Sequence, residues 1–390
     1  MARRTNLIAL ICLSALLVAT VPALAATVVV GTCVPSKISY ASLTEAVQGV
    51  PSGTTIQVCP GNYAEQIIIN KSLTLKGITS GNGANPVIVP PASGLVNNAF
   101  SSTTNSFWGL GTPFAAQVVI QGGADVTLTG IAFDATGFNI ATCSPVVVGV
   151  LVQDSSATLN QVAVKNQFNP CSASGTGIGV LNQNDSSIAT TMTVKNTTFA
   201  NAGQAFESDG AGNTSTLTNS SFAGNPASNS NAISILSGNS TIQGNTISNF
   251  NYPAAGTNYS IAAWGIYLSC VPGSSVVNNH IATTQLGIYA LNGCTTTAVS
   301  ITGNDISDAQ FMGIYAGGTN GLIQGNDIRS TQTAIRLPGG SAGNTIQNNT
   351  INDTCAAFGS NPAAGANTIG TNTITNATNL TLVNTTALCP

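Results

Sequence analysis

The stretch from Asn304 to Ile351 reads NDISDAQFMGIYAGGTNGLIQGNDIRSTQTAIRLPGGSAGNTIQNNTI, and Asn-x-Ile triplets return in it at Asn304, Asn326 and Asn349. The isoleucines of these triplets are separated by 22 and 23 residues. Further copies begin at Asn245, Asn279 and Asn372, and looser copies end at Phe199 and Phe222. A period of this size is typical of one supersecondary unit stacked many times. The sequence therefore predicts a solenoid of short strands and turns.

A second recurring strand has the pattern small–apolar–x–apolar, as in Gly265-Ile-Tyr-Leu268 and Gly287-Ile-Tyr-Ala290. Because side chains alternate between the two faces of a strand, the x residues should point away from the core. They form a predicted outward column of Leu151, Gly179, Glu207, Ser234, Tyr267, Tyr289, Tyr315 and Arg336. The triplet asparagines should stack at a turn and form a ladder of hydrogen-bonded amides.

The first residues have the features of a secretory signal peptide. Arg3 and Arg4 precede an apolar run from Leu7 to Val21, and small residues follow Pro22. The run is too short to favour a transmembrane helix. We therefore expect residues 1–25 to be removed and residues 26–390 to form one exported domain, secreted or periplasmic, with no membrane span.

Removal of the signal peptide would leave eight of the nine cysteines, an even number that suits an oxidising compartment. Equivalent positions on adjacent coils lie about 4.8 Å apart, which matches the Cα separation of a disulfide. A zinc site is disfavoured because no two cysteines are close in sequence and the chain has one histidine. The predicted pairs are Cys33–Cys59, Cys143–Cys171, Cys270–Cys294 and Cys355–Cys389.

Charged residues make up only 5% of the chain, against about 25% in an average domain. The chain has 9 basic and 12 acidic residues, so it lacks the basic footprint of a protein that binds nucleic acid. Regularly spaced Val, Ile and Leu distinguish it from disordered chains. No cofactor is indicated, and the sequence does not specify the oligomeric state.

One helix and two lateral loops are expected beside the repeats. Ser42-Leu-Thr-Glu45 is a capping box that opens a helix over about residues 42–50, which would cover the first coil. Two stretches with aromatic residues, about 97–116 and about 250–263, break the period. Each should be a loop packed on the side of the solenoid, where functional walls are often built.

These repeats resemble those of the pectin-lyase-like superfamily, over nearly all of the chain beyond the signal peptide. Gly61-Asn-Tyr63-Ala-Glu65 and Leu73-Thr-Leu75-Lys-Gly77 are similar to the opening coils of pectin methylesterases. The resemblance implies an all-β fold, a single-stranded right-handed parallel β-helix with a short N-terminal capping helix. It says little about function, because the superfamily includes lyases, hydrolases, esterases, epimerases, adhesins and copper-loading proteins.

The motifs that the resemblance would require for known activities are missing. The Gln-Asp-Thr-Leu and Asp-Phe-Ile-Phe-Gly motifs of methylesterases do not occur, and Ser208-Asp209-Gly210 is the only hint of a polygalacturonase motif. The acidic residues are too scattered for the calcium cluster of pectate lyases. None of these activities is therefore predicted.

Glu207 and Asp209 offer one catalytic arrangement. They are two residues apart on one strand, so both should project outward, at roughly 6.5–7 Å from each other along the backbone. This separation overlaps the range of about 6.5–9.5 Å between the acid and the base of inverting glycosidases. The alternative is a solvated polar edge without catalysis.

Tyr267, Tyr289, Tyr315 and Arg336 form a predicted ligand-binding column. Tyrosine rings at coil spacing would give a flat aromatic strip for sugar rings, and Arg336 could bind a carboxylate of an acidic glycan. The alternative is an aromatic stack that stabilises adjacent coils by about 0.5–1.5 kcal/mol per pair.

His280, Asp305 and Asp327 are the x residues of successive triplets and form a weak candidate metal site. Solvated surface is the alternative for this column. Taken together, the sequence favours an exported, non-catalytic β-helix protein that binds a polysaccharide or cell-surface glycan through the Tyr/Arg column. A polysaccharide hydrolase or lyase that uses Glu207 and Asp209 is the second hypothesis, and a structural or adhesive spine is the third.

Overall fold

The computed structural model describes residues 26–79, 83–102, 108–171, 177–184, 188–225, 230–271, 273–291 and 298–383, apart from the side chains of Ser260 and Cys270. The expected signal peptide, residues 1–25, lies outside the described residues. The described chain winds as parallel strands, each paired with its equivalent on the coils before and after. The predicted all-β parallel β-helix is therefore confirmed.

One sheet forms the first face of the coil, and its strands share an alternating pattern of buried and exposed side chains. Such alternation is expected where one side of a strand faces a core. The strands are Thr27–Val30, Ser39–Tyr40, Thr55–Val58, Leu73–Gly77, Asp125–Thr129, Ser156–Asn160, Thr190–Lys195, Asn213–Thr218, Asn239–Gln243, Ser275–Val277, Ser300–Thr302, Leu322–Gln324, Thr345–Gln347 and Thr368–Ile369.

The strands that contain the apolar anchor of the triplet form the second face, and we call them the triplet strands. They are Gly61–Ala64, Pro86–Val89, Ala132–Asp134, Ala163–Lys165, Thr198–Ala200, Ser221–Ala223, Thr246–Phe250, His280–Thr284 and Asp305–Ser307. In the last coils the second and third faces join into the long strands Asp327–Leu337, Thr350–Ser360 and Thr373–Val383.

The strands with the small–apolar–x–apolar pattern form the third face, and we call them the lateral strands. One short strand, Ala99–Phe100, pairs with this face in the antiparallel direction. The lateral strands are Ile67–Ile69, Pro113–Ile120, Val146–Gln153, Ile178–Gln183, Gln204–Asp209, Asn231–Ser237, Trp264–Cys270, Leu286–Ala290 and Met312–Ala316.

The asparagine ladder predicted from the triplet is present. Each amide nitrogen, from Asn245 to Asn349, donates to the Oδ1 atom of the next ladder asparagine at 2.9–3.0 Å. The same Oδ1 atoms accept the backbone N–H of the preceding ladder residue, as Asn304 does for Asn279 at 3.0 Å. A buried turn thus has its polar groups satisfied, which is the condition for burying a turn at all.

The residue before each ladder asparagine from Asn245 to Asn349 has a left-handed backbone. Asn278, Gly303 and Gly325 have φ values of 53°, 66° and 66°, a region that glycine and asparagine tolerate best. At Gly303 a Cβ atom would lie 2.3 Å from Oδ1 of Asn278, so the turns are also closely stacked. The dipeptides Gly-Asn and Asn-Asn in the sequence therefore mark these turns.

The core is a column of apolar side chains enclosed by the three faces. The triplet isoleucines Ile281, Ile306 and Ile328 are fully buried in it. Burial of each such side chain stabilises the fold by about 1.5–3 kcal/mol. Each of these isoleucines occupies the equivalent position in its own coil. One repeated residue type can therefore fill this part of the core along the whole solenoid.

The N-terminal helix spans Leu43–Gly49, which confirms the predicted cap. Ser42 accepts a hydrogen bond from the backbone N–H of Glu45 at 3.1 Å, and Leu43 and Val47 are buried against the first coils. The Glu65 carboxylate accepts the N–H of Leu43 at 3.0 Å, so the start of the helix is bonded to the next coil. No helix in the described ranges is long and apolar enough to cross a bilayer.

Two of the predicted disulfides are present, Cys33–Cys59 and Cys143–Cys171. Cys355 is also disulfide-bonded, and its predicted partner Cys389 lies outside the described residues. Cys294 and the side chain of Cys270, which form the fourth predicted pair, also lie outside the described residues. Disulfides that join neighbouring coils fit an oxidising compartment.

Candidate functional site

The outer side of the lateral strands carries one continuous column of side chains. Backbone pairing places Glu207 beside Ser234, Ser234 beside Tyr267, and the column continues through Tyr289, Tyr315 and Arg336. This is the predicted order. One member is wrong, because Leu181 and not Gly179 pairs with Leu151 and with Glu207. We call the observed set, from Leu151 to Arg336, the lateral column.

A buried polar cluster explains the register error. The sequence pattern selects Gly177 as the small residue of its strand, whereas the structure uses Gly179. The correct alignment places Asn182 at an inward position, where its amide donates to Ser208 Oγ at 3.2 Å. Ser208 also accepts from Asn213 at 3.2 Å. The small–apolar–x–apolar pattern requires an apolar residue at the inward position that Asn182 occupies. The pattern therefore selected Gly177 in place of Gly179.

The small residue of each lateral strand is needed because the backbone of the next coil comes close. A Cβ atom at Gly287 would lie 2.4 Å from the carbonyl oxygen of Gly313 and 2.9 Å from Cγ2 of Ile306. Leu286 and Tyr289 lie on the outer side, while Ile288 belongs to the core. The strand therefore bends at the glycine, and the bend sets where the following outward residue points.

Glu207 and Asp209 are both fully buried, at 0% exposure. They do lie on the outer side, because Ser208 between them faces the interior cluster. The solvated outward pair expected from the sequence is nevertheless wrong, since other residues cover it. Oε2 of Glu207 accepts a hydrogen bond from Nε1 of Trp108 at 3.2 Å. Oδ1 of Asp209 accepts one from Ser237 Oγ at 3.1 Å.

Trp108 belongs to the predicted lateral loop 97–116, which packs on the early lateral strands. Ala99–Phe100 pairs with the start of the strand Pro113–Ile120. Nε2 of Gln153 donates to the carbonyl of Phe100 at 2.7 Å, and Nε2 of Gln183 donates to Ser101 Oγ at 3.1 Å. Polar side chains of the lateral strands thus fasten the described parts of this loop above Glu207.

Beyond Ser234 the lateral column is aromatic. The ring centroids of Tyr267 and Tyr289 are 5.7 Å apart with a 48° tilt, and those of Tyr289 and Tyr315 are 4.4 Å apart and edge-on at 63°. The expected flat strip is therefore wrong, because coil spacing is too short for large rings to lie side by side in one plane. Tilted pairs are the arrangement that the ring quadrupoles favour.

Trp264 links the aromatic residues to the acidic pair. Its Nε1 atom donates to Ser234 Oγ at 3.0 Å, and its ring centroid lies 4.8 Å from that of Tyr267. Ser234 is fully buried beneath it. Two tryptophan indoles thus contact successive members of the lateral column, with Trp108 on Glu207 and Trp264 on Ser234.

The second predicted lateral loop, 250–263, packs beside the tyrosines and contains two short 3₁₀ helices, Pro253–Ala255 and Tyr259–Ile261. Gln285 fastens both its ends, because its Oε1 atom accepts the backbone N–H of Tyr252 at 2.9 Å and of Ala263 at 2.8 Å. The loop covers one side of the tyrosines and leaves them half-buried. Burial raises the pKa of Tyr289, so its hydroxyl stays protonated.

Arg336 is the last residue of the lateral column, after Tyr315, and its side chain is only 2% exposed. The expectation of an accessible guanidinium for a glycan carboxylate is therefore wrong. Burial lowers the pKa of Arg336, and the nearby hydroxyls of Tyr259 and Tyr315 oppose that shift. Gly359 pairs with it on the next coil, and a Cβ atom there would lie 3.0 Å from Cδ of Arg336. The side chain is packed as part of the solenoid wall.

The weak metal candidates His280, Asp305 and Asp327 form an ion-pair network. Nδ1 of His280 lies 2.8 Å from Oδ2 of Asp305, Arg329 pairs with Asp305, and Arg329 lies 3.1 Å from Asp327. Partial burial would raise the pKa of Asp305, but hydrogen bonds from Arg329 and His280 hold it below its ordinary value. Arg329 supplies the positive charge, and the described residues contain no group of metal ligands.

The sequence predicted the two loops, the acidic pair and the tyrosines, but not the contacts between them. Trp108, Trp264 and Gln285 make these contacts between the loops and the lateral strands, and the sequence did not indicate their role. The two indoles could have been noticed as the only tryptophans of the chain. Their partners, Glu207 and Ser234, depend on loop packing that has no period.

Comparison with known families agrees with this architecture. The family described as right handed beta helix region matches residues 148–321 and 264–387, which together span more than half of the chain. The chain belongs to this family. The right-handed β-helix predicted from the repeats is thereby established. No curated protein matches the chain in sequence.

Several solved right-handed β-helix structures are similar. DFA-IIIase from Arthrobacter chlorophenolicus A6, without its lid and in complex with GF2, gives a TM-score of 0.58 at 15% identity, over 90% of this chain and 98% of that chain. The mannuronan C-5 epimerase AlgE4 A-module of Azotobacter vinelandii gives 0.56 at 12%, over 87% and 91%. The GH136 lacto-N-biosidase of Eubacterium ramulus gives 0.55 at 9%, over 90% and 67%. At such identities the similarity establishes the fold, and function must be argued from the site.

Proposed function

We propose that this β-helix protein is a carbohydrate-acting enzyme, a polysaccharide hydrolase or lyase, with Glu207 and Asp209 as its acid–base pair. The observation that carries the proposal is the hydrogen bond from Trp108 to Glu207 at 3.2 Å. This contact lies on the outer side of the lateral strands, one coil before the contact between Trp264 and Ser234. Carboxyl groups and aromatic rings are what glycoside cleavage and sugar binding require.

The acidic pair is unusual for its position in the lateral column. Its neighbours in the lateral column, Leu151 and Leu181, are apolar and fully buried, and burial of a charged group costs free energy that an apolar residue would not. Ionisable groups placed in such surroundings are typical of functional sites. The pair therefore favours chemistry over packing.

The pair suits hydrolysis. Positions two residues apart on a strand are about 6.5–7 Å apart, which leaves room for a water molecule. One carboxyl would give its proton to the leaving glycosidic oxygen, and the other would take a proton from the water that attacks the anomeric carbon. In a lyase reaction the second carboxylate would instead remove the ring proton next to a sugar carboxylate, a C=C bond would form as the glycosidic C–O bond breaks, and the first carboxyl would protonate the leaving oxygen. That reaction requires an acidic glycan, whereas hydrolysis does not.

Access to Glu207 requires a movement of Trp108. Glu207 and Asp209 are fully buried, so a substrate reaches Glu207 only when the indole leaves it. The aromatic residues Trp264, Tyr267 and Tyr289 are half-buried and lie next along the stack. A sugar chain that binds along them would extend to the position of Trp108.

The activities named for the similar proteins support the class of substrate. They include a lacto-N-biosidase and a mannuronan C-5 epimerase. The disulfides Cys33–Cys59 and Cys143–Cys171 support export to an oxidising compartment, secreted or periplasmic.

The proposal is tested by product analysis on a polysaccharide panel, with detection of reducing ends and of unsaturated products. We expect the wild type to release product, and Glu207→Gln and Asp209→Asn each to lower the rate at least about 100-fold. Asp125→Asn, at an exposed position on the first face, is the matched control and should keep full activity. Equal rates for the wild type and both site variants would contradict the proposal.

Binding without catalysis is the second candidate, and the complete burial of both carboxyl groups favours it. It would rest on the half-buried tyrosines alone. A glycan that binds tightly and is recovered intact, with the same affinity for Glu207→Gln, would establish this candidate in place of the enzyme.

A further inference from the structure

We infer that the site takes a neutral glycan and not an acidic one. This inference rests on the proposed function, since it names the substrate class of the same site. The lateral strands, the third-face part of the long joined strands and both lateral loops contain three charged residues, Glu207, Asp209 and Arg336. Only one of the three is basic, so this face lacks the positive charge that would attract a polyanion.

Apart from Arg336, every basic side chain beyond the expected signal peptide lies away from the lateral strands and the lateral loops. Lys165 and Arg329 pair with acids on the triplet strands. Lys71 donates to the carbonyls of Gln48 and Val50 at the end of the helix. The remaining ones, Lys37, Lys76 and Lys195, lie in the N-terminal turn and on the first face.

Arg336 does not compensate for this lack of positive charge. It is 2% exposed, and it lies five coils from Glu207, a distance of about 24 Å at ordinary strand spacing. Recognition of an acidic polysaccharide needs cations that reach the sugar carboxylates, because arginine and lysine pair with them directly. A buried guanidinium beneath Tyr259 and Tyr315 cannot do so.

A bridging cation is the other way to bind a polyanion, and the described residues show no site for one. They contain no cluster of three metal-ligating side chains. What the lateral face does offer is aromatic ring surface and uncharged donors, such as the Tyr267 hydroxyl, whose partner is Ser269. These groups match the apolar faces and hydroxyls of an uncharged sugar ring.

The test is a binding array for the wild-type protein. One set holds neutral oligosaccharides of glucan, fructan, xylan and galactan, and the other holds oligogalacturonate and oligomannuronate, each with and without calcium. We expect at least one neutral glycan to bind about tenfold or more tighter than every acidic one. Its affinity should not change between low and high salt, because no charge pairs form.

Arg336→Gln gives a second readout. Its affinity for the neutral glycan should stay within about twofold of wild type, because the guanidinium does not touch the sugar. Tighter or equal binding of an acidic glycan, or an affinity that falls steeply with salt, would overturn the inference and leave the enzyme proposal intact. Failure of every glycan in both sets to bind or react would instead contradict the proposed function.

Discussion

The ladder asparagines and the lateral column stack in the same way but differ in chemistry. From Asn245 to Asn372 every ladder position is an asparagine that repeats the same hydrogen bonds. The lateral column changes from leucine to glutamate, serine, tyrosine and arginine within a few coils. A uniform column satisfies the backbone of every coil equally. A varied column gives individual coils their own chemistry, so the varied column is where a site can arise.

The largest effect on stability should come from the middle of the ladder. Asn304→Ala removes the donor to Val276 O at 2.9 Å and leaves the backbone N–H and the side-chain amide of Asn279 without their acceptor. We expect a loss of about 3 kcal/mol in the free energy of unfolding, because buried polar groups are left unpaired. Denaturant unfolding followed by circular dichroism measures it.

Asn372→Ala is the matched control at the end of the ladder. Its side chain is half-buried and bonds to one ladder neighbour, Asn349. Water can replace these bonds, so the loss should be about 1 kcal/mol. Equal losses for Asn304→Ala and Asn372→Ala would mean that the ladder does not stabilise the stack as a continuous column.

A middle-sized effect on stability is expected at Tyr289, which contacts Tyr267 and Tyr315. Tyr289→Ala removes two aromatic pairs and should destabilise the protein by about 2 kcal/mol. It should also weaken glycan binding about tenfold or more, which isothermal titration measures. Tyr289→Phe keeps the ring and loses only the hydroxyl hydrogen bond with Tyr315, so it should destabilise the protein by about 1 kcal/mol. Unchanged glycan affinity in Tyr289→Ala would assign the tyrosines to structure alone.

The smallest effect is a pH dependence on the triplet strands. Burial alone would raise the pKa of Asp134, but hydrogen bonds from Asn166, Thr136 and Lys165 lower it from 3.8 to about 2. Because the folded pKa is the lower one, the stabilisation is complete above pH 3.8 and is lost as the pH falls toward about 2. We estimate its size as about 1 kcal/mol after solvent screening.

Asp134→Asn should therefore flatten the acid limb of the stability curve between these two pH values. The exposed Asp125→Asn should leave that limb unchanged and serves as the control. A series of thermal melts across acid pH measures both. If Asp134→Asn keeps the wild-type acid limb, the hydrogen bonds around Asp134 do not act as described.

The sequence was informative where the structure is periodic. The triplet predicted the strands, the ladder and the turn positions, because each coil repeats the same local interactions. The helix at Leu43–Gly49 was also predictable, since a capping box is a local pattern. The same repeat predicted the order of the lateral column, except that Leu181 occupies the position predicted for Gly179.

The site itself depends on contacts that have no period. Burial of Glu207 requires Trp108, which is separated from it by 99 residues. The tilt of the tyrosines and the burial of Arg336 follow from ring size and from the packing of loop 250–263. Such contacts depend on tertiary structure, which residue type and spacing do not specify. For this reason the sequence predicted a solvent-exposed Glu207 and Asp209 and a flat strip of tyrosines, and the structure shows neither.

One pair of proteins is enough to measure whether Glu207 takes part in chemistry on a glycan. Purified wild type and Glu207→Gln are incubated with neutral polysaccharides, and released oligosaccharides are quantified by chromatography with mass detection. We expect product from the wild type and about 100-fold less from Glu207→Gln. The variant should keep its folding stability, because the amide has the shape of the carboxyl group and an oxygen that can accept the hydrogen bond from Trp108. Product release at the wild-type rate by a folded Glu207→Gln protein would contradict this role of Glu207.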